Sequence, residues 1–270
     1  MRSHLRHLGP VALIAVLLIG VVPAATAGEI DTSAAAMRAA EAHALDLTNA
    51  ERTRRGLVKL RLDTRLTELA RDRAQYMAQS GQFSHTQSNG TDVFDMIDSA
   101  HITWYAAGEI IAWNTAGPLD YSAEFAVDGW MGSPSHKAIV LSSIYNYVGF
   151  GLAIAADGTR YWAGVYLKGP DRTGGYARTG SFSKTYLSSV WARGTVYWSG
   201  GDIRLQVLTA GHRYFQTQWR VAGGTWATPS LTTGHRLTKW WRRGWTYEFR
   251  VRERDRNGNW GAWATRTLKP

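Results

Sequence analysis

The sequence predicts a mixed helix-and-strand (α+β) region followed by a small all-β sandwich. Three observations predict it. From residue 34 to residue 130, apolar side chains recur at helical spacing in runs bounded by capping residues and glycines, and a strand pair follows at 147–167. Helices and strands are segregated, as in an α/β sandwich, and do not alternate as βαβ units would. After residue 170 the period shortens to β-rich runs separated by glycine pairs. The charge changes at the same point. Residues 28–170 carry 12 Lys and Arg against 16 Asp and Glu, whereas 171–270 carry 17 against 5, with nine of the 13 tryptophans. Such a shift marks a domain boundary, and Gly169-Pro170-Asp171-Arg172-Thr173-Gly174-Gly175 is the predicted linker. The expected domains are 28–168 and 177–270, joined by 169–176.

The chain begins with a secretory signal pattern. Arg2, His4 and Arg6 form a basic start, Leu8 to Val22 an apolar run, and Ala25-Thr26-Ala27 a cleavage site. The run is short for a bilayer-spanning helix, which needs about 20 residues. Residues 1–27 are therefore read as a signal peptide, and the protein is expected to be secreted, extracellular or associated with a cell wall. No later segment reads as a membrane span. With no cysteine, disulfides, thiol catalysis, cysteine metal sites and a lipidated cysteine anchor are all excluded. Stability must come from buried apolar surface, for which about 240 residues suffice in two modest domains.

The elements follow in order. Ala34 to Arg55 is an Ala-rich helix stopped by Gly56. Asp63 caps a helix running to Gln79, with Leu66, Leu69, Ala70, Ala74 and Met77 on one face, and Gly81 ends it. Thr91-Asp92 caps a short helix bearing Val93, Phe94, Met96 and Ile97; residues 101–105 read as a short strand. Leu119 to Trp130 is a helix whose expected inner face is Tyr121, Phe125, Ala126 and Trp130. Tyr147–Ala155 and Arg160–Leu167 are strands around an Asp157-Gly158 turn. In the last hundred residues, strands are expected at 195–198, 203–208, 216–221 and 246–252.

The candidate site lies on three segments. Ser133-Pro134 makes a turn and opens a helix, since proline fits its first turn, and this puts His136 in the opening turn beneath Trp130-Met131-Gly132. Phe83-Ser84-His85 follows a helix end. Gly108-Glu109-Ile110-Ile111-Ala112 presents a carboxylate at the head of an apolar run. Two imidazoles and one carboxylate would make a His₂Glu zinc set with an open position, able to polarise a carbonyl or to lower the pKa of a bound water to about 7. Without metal, Glu109 or a histidine would serve as general base. Equally, the three groups would simply hydrogen-bond one another and hold the cleft together. No G-x-S-x-G nucleophile motif is present.

In order, Leu47-Thr48-Asn49-Ala50-Glu51-Arg52 with Gly56-Leu57, Phe83-Ser84-His85, Gly108-Glu109, Trp130 through Leu141, Val148-Gly149-Phe150-Gly151 and Tyr161-Trp162 resemble the CAP superfamily of cysteine-rich secretory, antigen 5 and pathogenesis-related (SCP-like) proteins, in its cysteine-free bacterial branch. The resemblance covers roughly 38–168. It implies an α-β-α sandwich with a central cleft carrying two His and two Glu. His85, Glu109 and His136 match three of these; Ser133 stands where the second Glu would be, and Ile111 where Asn is usual. It also implies ligands as varied as lipid or peptide, and it settles no activity. Trp130 and Ser133 are the expected ligand contacts beside the three cleft groups.

Tyr247 through Trp260 resembles the last strand pair of a bacterial fibronectin type III domain. Trp198 and Trp226 are its expected core aromatics. Tyr247, Phe249 and Val251 are expected to point inward, and Glu248, Arg250, Arg252 and Arg254 outward as a basic stripe. Trp240, Trp241, Arg242 and Arg243 form the densest basic-aromatic cluster. It reads either as a solvated loop with one core Trp or as a patch for cell-wall or other anionic polysaccharide. For a secreted chain, nucleic acid is the poorer fit. The whole is expected to act as a monomer: a cleft that binds a metal or small ligand, with no defined catalysis, held at the cell surface by a basic Trp-rich domain. The alternative is a metal-assisted extracellular hydrolase of a peptide or wall polymer.

Overall fold

The computed structural model describes residues 31–270, together with the strand Leu5–Arg6. The predicted cleavage site lies outside the described residues. The chain divides into two compact units, one ending at Pro170 and including Leu205–Leu208, the other formed by Asp171–Arg204 and Thr209–Pro270.

In the first unit, helix α1 (Ala34–Thr53) is capped by the Ser33 hydroxyl, which accepts from Ala36 N–H. Helix α2 (Thr64–Ser80) is capped by the Asp63 carboxylate and ends at Gly81, whose φ of 68° lies in the left-handed region that glycine enters without strain. Helix α3 (Val93–Ser99) opens on a reciprocal capping box between Asp92 and Asp95. Helices α4 (Leu119–Gly132) and α5 (Pro134–Val140) meet at Ser133, with Pro134 in the first turn of α5. The sheet contains β1 (Leu5–Arg6), β2 (Arg61–Leu62), β3 (Ala106–Asn114), β4 (Tyr147–Ile154) and β5 (Arg160–Lys168) in the order β1-β3-β5-β4-β2. β3, β4 and β5 are antiparallel, and Glu109 lies opposite Val165.

Because side chains alternate along strands, the sheet feeds two cores. Ile110, Phe150, Trp162 and Tyr166 join α1 and α4 in one. Ala107, Ile111, Val165 and Leu167 join α2 and α3 in the other. Gly149 and Gly151 let the α2 backbone lie directly on β4. A methyl group at either would overlap the main chain at Leu66–Thr67 or at Ala70–Arg71.

Three expectations are corrected here. Residues 101–105 are not a strand; the strand starts at Ala106. On α4, Tyr121 and Phe125 are exposed, and the buried positions are Leu119, Ser122, Ala123, Ala126, Val127 and Trp130. That face joins Ala40 and Ala44 of α1 in one core. Residues 203–208 are not a strand. Leu205 instead lies buried in the α2–α3 core of the first unit, where Val207 N–H donates to Asn146 Oδ1.

The second unit has two antiparallel sheets. One orders β10 (Arg236–Arg242), β7 (Trp191–Gly201) and β6 (Tyr176–Tyr186); the other orders β12 (Ala264–Leu268), β11 (Tyr247–Asp255), β8 (His212–Val221) and β9 (Ser230–Thr232). They share one core containing Val196, Trp198, Phe215, Trp241, Tyr247, Phe249, Val251 and Leu268. The alternation of β11 is as read from the sequence. Trp226 is not in the core; the guanidiniums of Arg220 and Arg250 lie 4.4 and 4.1 Å from its ring centre.

Candidate functional site

Three elements meet in the first unit. α2 contributes Arg73, and the turn after it His85. β3 contributes Glu109, and the opening turn of α5 contributes His136. Arg73 is fully enclosed, and its Nε donates to Glu109 Oε1 at 2.7 Å. Its Nη2 donates to the Ser84 carbonyl at 2.5 Å, which fixes the loop bearing His85. The other carboxylate oxygen, Oε2, lies 2.7 Å from His85 Nδ1. With Glu109 as the anion of the Arg73 pair, the proton of that contact belongs to Nδ1, so His85 donates to Glu109 and keeps its Nε2 lone pair open.

The His85 and His136 rings lie 6.5 Å apart between centroids, at 56°. Among the described residues no side chain hydrogen-bonds to His136. Burial, and then the neighbouring His85, hold its pKa below the ordinary 6.5, so at neutral pH it is an uncharged imidazole. The cleft thus brings together one imidazole fixed in tautomer and one held neutral.

Position of α5 is itself enforced. Arg52, fully buried in α1, donates through Nη1 to the carbonyls of Val140 (2.7 Å) and Ser142 (2.9 Å) at the end of α5. These are carbonyls left unpaired by the helix terminus, and a cation there also complements the helix dipole. Trp130 Nε1 donates to Ile111 O, and its ring stacks on Phe150 at 5.7 Å.

The predicted cleft residues His85, Glu109 and His136 do come together. Glu109 is held through one oxygen by Arg73 and through the other by His85, so it orients His85, and the open lone pairs of the cluster are those of the two imidazoles. Tested as a zinc site, His85 and His136 offer two imidazoles, and Glu109 would complete a set of three protein ligands only through the remaining lone pairs of its bonded oxygens. Trp130 is corrected from a ligand contact to a core residue, being 1 % exposed. Ser133 occupies the N-cap position of α5 without a side-chain capping bond, and its Oγ lies 3.2 Å from Ser135 Oγ. Arg73 escaped the sequence reading, although its position carried a signal. It falls on the buried face of α2 with Leu66, Leu69, Ala70 and Met77, and a charge on such a face requires a buried counter-charge.

In the second unit, Trp240 is 64 % exposed while Trp241 is 1 % exposed, with Nε1 donating to Gly194 O. Neighbours on a strand face opposite ways, so Trp241 is corrected from a stacking surface to a core residue. Arg242 packs over Trp245, and Arg243 over Tyr186. Asp171, Asp202 and Asp255 are, among the described residues, a group of three possible metal donors within 4.8 Å of one another. Each is already hydrogen-bonded by main-chain N–H groups, those of Thr173 and Ala210, of Ile203 and Gly211, and of Asn259 respectively.

Residues 45–166 match the cysteine-rich secretory protein family, CAP. This stretch is a CAP domain, holding the cleft just described. Over 113 residues the chain is 34 % identical to the uncharacterized membrane protein YlbC of Bacillus subtilis, covering 42 % of this chain and 31 % of that protein. It is also 34 % identical over 130 residues to the uncharacterized protein YkwD of the same organism, covering 47 % and 49 %. The chain thus spans less than half the length of these relatives. Among solved structures, an extracellular protein containing a SCP domain from Bacillus anthracis is similar at a TM-score of 0.42 and 23 % identity, over 49 % of this chain and 41 % of that one. Among the described residues no helix is long and apolar enough to cross a membrane.

Proposed function

We propose that this is a secreted bacterial CAP protein whose cleft captures a small ligand or a metal between His85 and His136, and whose basic, Trp-rich second unit holds it on an anionic cell-surface polymer. One observation carries the cleft reading. Arg73 fixes Glu109, Glu109 fixes the His85 proton at Nδ1, and two imidazoles with open lone pairs are left, their ring centres 6.5 Å apart. Two neighbouring acceptors without a protein donor suit a ligand that offers them a hydrogen-bond donor or a cation. A metal held there would rest on His85 and His136 and would polarise a ligand oxygen, with Glu109 orienting His85. The surface reading rests on the excess of Arg and Lys in the second unit and on exposed Trp240 beside Arg242 and Arg243.

The same oriented His85 Nε2 could accept a proton from a water, which is the observation favouring the hydrolase reading. Calorimetric titration with zinc and with peptide or lipid probes tests the cleft. Binding should disappear in both His85→Ala and His136→Ala, and binding that survives in both would place it elsewhere.

A further inference from the structure

On the outer face of β11, Arg250, Arg252 and Arg254 alternate with enclosed inward residues. Each guanidinium is interleaved with indoles. Arg250 lies 4.1 Å from the Trp226 ring centre and 4.3 Å from that of Trp263. Arg252 lies 4.4 Å from Trp263 and 4.0 Å from Trp260, and Arg254 lies 5.0 Å from Trp260. Cross-strand partners on β8 hold the edges in plane. Gln218 Oε1 accepts from Arg250 Nε and Nη2, Gln216 Oε1 from Arg252 Nε, and Tyr214 Oη from Arg254 Nη1.

All of these partners are neutral. The five acids of this unit are occupied elsewhere: Asp171, Glu253 and Asp255 are buried, Asp202 is bound to main-chain N–H groups, and Glu248 pairs with Arg220. Burial, and then like charge, from Arg220 on Arg250 and from Arg250 and Arg254 on Arg252, lower the pKa values of these two arginines. Three fixed cations therefore stand in a line without a counter-charge, their faces covered and part of their N–H edges unpaired.

We infer that this arginine–tryptophan ladder is the binding site of a linear phosphodiester polymer. Alternate residues of a strand are about 6.6–6.8 Å apart. Chains built of ribose phosphate or of glycerol phosphate both place six bonds between successive phosphorus atoms, and six extended bonds of about 1.5 Å span roughly 7 Å. The pitch of the charges on β11 matches that repeat. The planar fork of each guanidinium is suited to two phosphate oxygens, and the stacked indoles hold it in place before binding. Because the indole faces are taken, recognition is by charge spacing and not by stacking on bases or sugars.

The inference rests on the proposal that the second unit binds an anionic polymer, and it moves the site from the Trp240–Arg243 edge to the ladder. The test uses the full chain and three labelled probes: a glycerol phosphate 20-mer, an oligodeoxythymidine 20-mer and polygalacturonate, read by anisotropy between 50 and 300 mM salt. The informative variant is Gln216→Glu with Thr265→Glu. It places carboxylates opposite Arg252 and Arg250 in the cross-strand register and leaves every arginine and tryptophan intact.

Both phosphodiester probes should bind at least tenfold tighter than polygalacturonate. The double variant should weaken them about tenfold and reduce the slope of log K against log salt by about 1.4 at an unchanged unfolding midpoint. Tighter binding of the glycerol phosphate chain would assign a wall polymer, and tighter binding of the oligonucleotide a nucleic acid. Equal binding of polygalacturonate, or an unchanged double variant, overturns the ladder site. Loss confined to Arg242→Glu with Arg243→Glu also overturns the ladder and keeps the anchoring proposal. No binding by any probe at 50 mM overturns both.

Discussion

Replacing Glu109 by Gln tests the organisation of the cleft in a single atom. Arg73 and Glu109 are an enclosed ion pair at 2.7 Å, their side chains 0 % and 3 % exposed. Removing one partner of such a pair costs about 3–5 kcal/mol, because the other charge stays buried without compensation. Gln retains a carbonyl for Arg73 Nε, and a hydrogen bond to a charged group returns about 1.5–3 kcal/mol of that loss. The net cost should be about 2 kcal/mol. At roughly 3 °C per kcal/mol for a unit of this size, the CAP domain should unfold about 6 °C lower by scanning calorimetry at pH 7.

The amide would also donate to His85 Nδ1, forcing its proton onto Nε2 and closing the lone pair toward His136. Glu109→Gln should therefore lose ligand binding beyond what its stability loss explains. Arg73→Met in the Glu109→Gln background should recover most of the lost stability, since both charges are then gone. Strictly additive single and double effects, or a Glu109→Gln midpoint within 1 °C of the parent, would refute the pairing argument.

Further expectations follow from the same structure. His136 has its folded pKa depressed below its unfolded 6.5, so the unfolded chain binds the extra proton first. Stability from this group is fully present above about 6.5 and declines as pH falls toward the depressed value; in His136→Ala this part of the pH dependence should flatten. Gly149→Ala should cost about 1–3 kcal/mol or more by pushing α2 off β4. Because α2 carries Arg73, the same variant should also broaden the His85 resonances in NMR, and an unaltered spectrum would show that α2 does not set the cleft. Asp92→Ala removes both acceptor bonds at the start of α3 and should cost about 0.5–2 kcal/mol in urea unfolding.

Much of the first unit is legible in its sequence because local chemistry specifies it. Asp63 and Gly81 bracket α2, the Asp92–Asp95 box opens α3, and Asp157-Gly158 turns β4 into β5. Pro134 likewise starts α5 and so places His136. What escapes the sequence depends on which partner a face meets. Tyr121 and Phe125 dominate the apolar pattern of α4, yet the face that is buried carries Leu119, Ser122, Ala123, Ala126, Val127 and Trp130. Trp226 reads as core, yet it packs with the guanidiniums of Arg220 and Arg250, and Trp241 reads as surface until the alternation of β10 turns it inward.

The cleft shows the same limit. His85, Glu109 and His136 are found by their order along the chain, whereas the direction of Glu109 is set by Arg73, a residue 36 positions away whose role becomes visible only when α2 packs on the sheet against β4 and β5.

The central claim concerns one proton. Long-range ¹⁵N–¹H correlation spectra of the histidine side chains at pH 7 report it directly. The account predicts His85 as the Nδ1–H tautomer and His136 as a neutral ring titrating below 6.5. A His85 protonated at Nε2, or a His136 that titrates at or above 6.5, would contradict it.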